Sequence, residues 1–269
     1  MRLSWWWLLL FWSCVSPLKG LKVETPLAIE SQRFLLRTHE SSPPGDTKLI
    51  AAAVERATPG LERWGGLTEP VTVYVVKSHG DLEAAVHRGG FDWLKAWGTY
   101  DDVIFQTPST WTKDSMHVDQ LVLHELTHCL LFQRSGTREN WYLKGIPLWF
   151  REGMAIVTAG QAGEYSSLED SAKWLEQNPY LNAFRDGDEL SETQAIAVYG
   201  IGLHAFRFLL RRYGGDPKVI ELMKAMQAGA LFPDAFASVF GMPVEQFQKS
   251  FEDYLKQRVF KKEFDAPIR

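Results

Sequence analysis

Leu121-Val122-Leu123-His124-Glu125-Leu126-Thr127-His128-Cys129-Leu130-Leu131-Phe132 is the stretch on which the reading of this chain turns. It is apolar on nearly every side, which predicts a buried helix. Yet it carries two imidazoles and a carboxylate, and buried charge without a partner is strongly destabilising. Residues four apart on a helix share a face, so His124 and His128 can grip one metal ion from adjacent turns. Glu125 projects roughly 60° to 100° round the axis from either histidine at 3.6 residues per turn. Its carboxylate then stands beside the ion without ligating it, where it can take a proton from water. The pattern predicts zinc, one ion per chain.

Catalytic zinc uses three protein ligands and keeps a fourth position for water or substrate. The position that would hold a third histidine in the longer HExxHxxGxxH pattern is Arg134. The next candidate is Glu152, in Ile146-Pro147-Leu148-Trp149-Phe150-Arg151-Glu152-Gly153-Met154-Ala155. Pro147 suits the first turn of a helix, where no amide donor is needed. Gly153 allows a neighbouring helix to approach closely. Trp149, Phe150, Met154 and Ile156 bracket Glu152 and leave it no obvious solvated face. Cys129 lies about 100° round the helix from His128 and reads as a small buried hydrophobe, not as a ligand.

HELTH followed by PLWFREGMA resembles the gluzincins, zinc metallopeptidases with an HExxH helix and a glutamate ligand on a second helix. More narrowly it resembles the small bacterial peptidase MA-like domain, over roughly residues 34–260. The resemblance implies a thermolysin-like core, His124, His128 and Glu152 as zinc ligands, and a peptide or protein substrate. It implies an edge strand that pairs with an extended peptide, and residues 103–107 resemble that element, although they also fit an ordinary core strand. A tyrosine stands at the start of a later helix in the compared domain. Tyr199, in Ala197-Val198-Tyr199-Gly200, matches it as a hydrogen-bond donor to the oxyanion, with His204 as a second candidate. One departure stands out: where that pattern often has a carboxylate four residues past the ligand glutamate, this chain has Ile156.

The expected reaction is hydrolysis of peptide bonds, with Glu125 as general base. Two other readings are an exported zinc-bearing scaffold without hydrolysis and an amidase acting on cell-wall peptides. Glu125 argues against the scaffold, since a purely structural site does not need it.

The start of the chain predicts export. Met1-Arg2 is positive and Trp5 to Trp12 is apolar but far short of the about 20 residues a spanning helix needs. Residues 1–20 read as a signal peptide, with lipid attachment at Cys14 as an alternative, and residues 21–269 as the peptidase domain. The destination is the periplasm or the extracellular space. Net charge is −4, or −6 without the first 20 residues, and no basic cluster argues for nucleic acid or an anionic membrane. With Cys14 removed, Cys129 alone remains and no intrachain disulfide can form.

The expected fold is α+β. A mixed-sheet lobe over about 33–134 carries the HExxH helix at its inner face, and a helical lobe spans about 141–260. Strands are expected at 33–38, 71–76 and 102–107, with helices at 47–64 and 78–88 among them. Later helices are expected near 168–177, 200–213, 217–227 and 244–258. Residues 161–195 show the weakest pattern.

Overall fold

The structure, a computed structural model, describes residues 23–27, 34–39 and 42–257. The expected signal segment with Cys14 lies outside them, as does Arg258 of the expected last helix.

Five strands form one mixed sheet: β1 (Val23–Leu27), β2 (Phe34–His39), β3 (Val71–Val76), β4 (Ala96–Gly98) and β5 (Asp102–Gln106). Their spatial order is β1-β2-β3-β5-β4. β2, β3 and β5 run parallel, with Leu36 beside Val73 and Val75 beside Phe105. Parallel neighbours need crossovers, supplied by α1 (Pro44–Glu62) between β2 and β3 and α2 (His79–Val86) after β3. β1 and β4 are antiparallel to their neighbours.

The period of two in a β-branched run explains both faces of the sheet. Val71, Val73 and Val75 point into the main core with Leu36, Val103 and Phe105. Val76 and Ile104 point the other way, against Leu82 and Ala85 of α2. On the main-core face lie α1 and α3 (Ser115–Ser135), the latter carrying the HExxH pentad. Among the described residues α3 is followed by six further α-helices: α4 (Leu148–Ala159), α5 (Leu168–Gln177), α6 (Gly187–Arg212), α7 (Gly215–Gln227), α8 (Phe232–Phe240) and α9 (Val244–Lys256).

Several expectations need correction. An unexpected strand, β1, precedes the one expected at 33–38 and pairs with it. The helix expected from 47 starts at Pro44, and the carboxylate of Asp46 in its first turn accepts hydrogen bonds from Ser109. The strand offered as a peptide-pairing edge, 103–107, is the interior strand β5, and the edge is the three-residue β4. Ala96-Trp97-Gly98 is too short and too poor in β-branched residues to announce itself. α8 was not expected, and α6 begins at Gly187 instead of near 200. α6 is kinked at Gln194 (φ −135°), whose side-chain oxygen accepts a 2.8 Å hydrogen bond from the Trp174 indole on α5.

α6 is the one described helix long and apolar enough to cross a membrane by length and composition. Most of it is buried, and it packs on α4 as a core helix. The crossing is close because of Gly153: a Cβ there would stand 2.4 Å from the Gly202 carbonyl oxygen. α4 is thereby held between α6 and α3, with Glu152 facing the pentad.

Candidate metal centre

α3 starts at Asp114, whose carboxylate accepts from the Met116 N–H at 2.9 Å. Ten residues on, it delivers His124, Glu125 and His128 to the face opposite α4. His124 Nε2 lies 3.3 Å from Glu152 Oε2, and His128 Nε2 lies 3.6 Å from Glu152 Oε1. Among the described residues these three form a converging donor group, with one ligand atom from each within 4.8 Å of the others, and all three are buried. Zinc bonds of 2.0–2.1 Å in a tetrahedron put neighbouring ligand atoms about 3.4 Å apart. Two imidazoles and one carboxylate at these separations therefore fit a zinc ion.

The charges are coupled. Burial alone would push the Glu152 carboxyl up, but His128 and His124 hold it well below the usual carboxylate range. Burial disfavours a charged His124, yet Glu152 and Glu125 outweigh it and lift that imidazole to about 9. A cation must displace that proton to reach Nε2, so binding is linked to proton release. Arg151 stands beside its neighbour, Nε 3.6 Å from Glu152 Oε1, and is anchored by Asp188 and by the Ile146 carbonyl.

Glu125 is outside the converging group. Burial pushes its carboxyl up, while both imidazoles and the Gly98 backbone pull it partly down. Gly98 is the end of β4, and a Cβ there would come within 2.8 Å of the Glu125 carbonyl oxygen. Only a glycine lets the sheet edge lie this close to the pentad. Cys129 is buried away from the group, and burial drives its thiol well up.

The segment after α4 was read least well in the sequence, and it brings two side chains to the site. Gly160 ends α4 in the left-handed region (φ 72°), and the Gln161 N–H caps the Ile156 carbonyl at 3.1 Å. That turn points Gln161 at the pentad, where its Oε1 lies 2.6 Å from His124 Nδ1. An amide oxygen can only accept, so Nδ1 carries a proton, and Nε2 is the nitrogen left to a cation once its own proton is displaced. Four residues later Tyr165 lines the same cleft, its ring 5.7 Å from that of Tyr199. Burial, then the Glu152 charge, pushes both phenols up, so both stay protonated donors. His204 is elsewhere: its Nε2–H donates to the Ser166 carbonyl at 3.0 Å, and it does not line the cleft. Burial, with the nearby Arg207, lowers its imidazole to about 4.

The cleft has a volume of about 860 Å³. Its lining includes Trp97 of β4, Trp93, Arg151, Tyr165 and Tyr199, with the Trp93 ring edge-on to that of Tyr199 (centroids 6.4 Å apart). Trp141 and Tyr142 line it too, with Trp141 packed on Phe132 (centroids 4.3 Å apart), which in turn stacks on His128.

The Peptidase MA superfamily pattern matches residues 61–257. No curated protein matches the chain. Among solved structures, an M1 zinc metallopeptidase from Deinococcus radiodurans aligns at 15% identity and TM-score 0.42, over 87% of this chain and 50% of that one. A two-domain M1 zinc metallopeptidase E323A mutant bound to L-tryptophan aligns at 14% identity and TM-score 0.40, over 86% and 50%. The chain thus spans about half the length of either structure.

Proposed function

The chain belongs to the Peptidase MA superfamily, and from its cleft we propose that it is a zinc-dependent peptidase that uses Glu125 as general base. The observation that carries the reading is one geometry: three buried donors converge from two helices while a second buried carboxylate, Glu125, stands beside them outside the group. His124, His128 and Glu152 would hold the ion. Zinc supplies a Lewis acid that makes water nucleophilic near neutral pH.

The protein's own residues do the rest. Glu125, its carboxyl raised by burial, accepts the proton of the attacking water and returns it to the leaving amine. Tyr199 donates a hydrogen bond to the oxygen on which negative charge develops, and Tyr165, its ring against that of Tyr199, is a second donor. The outer side of β4 has no strand partner among the described residues, so an extended peptide can add there by backbone hydrogen bonds. Export to the periplasm or beyond is part of the proposal, supported by the apolar pattern of residues 5–12.

Zinc stoichiometry of the purified chain and its cleavage of a broad peptide mixture test the reading. One zinc per chain is expected. Glu125→Gln should keep that zinc and lower turnover by about 10² to 10⁴. A native chain without zinc, or near-normal turnover in the variant, overturns the proposal.

A further inference from the structure

We propose that Gln161 is the positioning residue of the metal centre, a neutral amide that locks the His124 ring with Nε2 toward the ion. The inference rests on the zinc reading above and assigns a role within the same site.

An imidazole that gives Nε2 to a cation keeps a proton on Nδ1, and an acceptor for that buried N–H fixes the ring and removes the cost of leaving it unpaired. Ile156, at the position where a carboxylate would brace the ring, is fully buried and its side chain offers none. Gln161 takes the role from five residues further on, at 2.6 Å and itself 5% exposed, so water does not compete for the bond. Its placement is fixed from both sides. The Gln161 N–H is tied to the Ile156 carbonyl, and the Gly160 carbonyl accepts a 3.2 Å hydrogen bond from Gln120, one turn before His124 on α3. The helix that carries the ligand therefore also clamps the turn that carries its brace.

The choice of an amide has a charge rationale. Glu152 and Glu125 together offset a divalent cation, so the buried centre is balanced without a third carboxylate. Gln161 orients the ring without adding charge. His128 is held differently: its Nδ1 is buried and makes no hydrogen bond to the described residues, and its ring stacks on Phe132. The two histidines are unequal, and Gln161 makes the difference.

Chelator competition on the full chain measures the effect. Gln161→Ala should bind zinc ten- to a hundredfold more weakly than the native chain. Gln161→Glu, which restores an acceptor, should recover most of that affinity. Cobalt substituted for zinc should give a visible spectrum altered in Gln161→Ala and near native in Gln161→Glu. If the metal-free alanine variant melts lower than native, Gln161→Met, which keeps the volume without the amide acceptor, takes its place. Native zinc affinity in both acceptor-less variants overturns the inference while leaving the peptidase reading intact. Absence of zinc from the native chain overturns both.

Discussion

Two segments meet at the candidate metal centre, and they arrive by opposite routes. The pentad in α3 presents His124 and His128 because helical geometry alone puts residues four apart on one face. The Gln161–Ser166 segment has no period at all; it reaches the site through a left-handed turn at Gly160 and a carbonyl held by His204. The first is self-sufficient in its local geometry, whereas the second exists only because α3, α4 and α6 are already packed. The contrast implies that the pentad decides whether a metal is bound, and the segment decides how well the bound site works.

The largest expected effect lies on the α3 side. His128→Ala should abolish stoichiometric zinc and lower the melting temperature, because an ion held from two helices contributes to folding. Glu152→Ala should weaken zinc binding far more than Glu164→Ala, although both glutamates line the cleft. Equal zinc content in all of these chains, measured by metal analysis, would erase the proposed division.

Next come the hydroxyls. Tyr199→Phe should lower kcat by about 10² to 10³ with little change in KM, since an oxyanion donor acts mainly in the transition state. Tyr165→Phe should cost less. The reverse order would move the donor onto the Gln161–Ser166 segment and sharpen the contrast; two unaffected variants would take both phenols out of the chemistry.

The smallest effect concerns the support of the segment. His204 titrates at about 4 in the fold, well under its ordinary 6.5. Below about pH 6.5 the unfolded chain takes up a proton that the folded chain refuses. This contribution to stability is therefore complete above pH 6.5 and is lost as pH falls toward 4. At about 1.4 kcal/mol per unit the full swing is of order 3 kcal/mol. Melting curves from pH 7 to 4 should fall less steeply in His204→Gln, where no such group titrates. Parallel curves for the two chains would remove the role given to His204.

Much of the site was legible beforehand because the residues that carry it obey local rules. The pentad has helical spacing, Glu152 follows a proline that starts its helix, and Gly153 marks the close crossing with α6. Val71–Val76 announced the central strand through its β-branched alternation. The edge strand was not legible, since three residues with one tryptophan and one glycine carry no period. Gln161 had one indirect signal, the isoleucine at 156, which showed that a brace was missing but not what replaced it. Tyr165 had no signal.

What the sequence determined by itself is therefore the donor set of the candidate site: side-chain types and a 3.6-residue period suffice to put two imidazoles and a carboxylate in register. What only the tertiary structure decided is the company they keep. Glycines at 98 and 153 bring a sheet edge and a second helix against the pentad, and a turn at Gly160 swings Gln161 onto His124. The physical reason is range. Helical register follows from neighbours a few bonds away, whereas a contact between residues 124 and 161 depends on how whole helices pack, which no local pattern encodes.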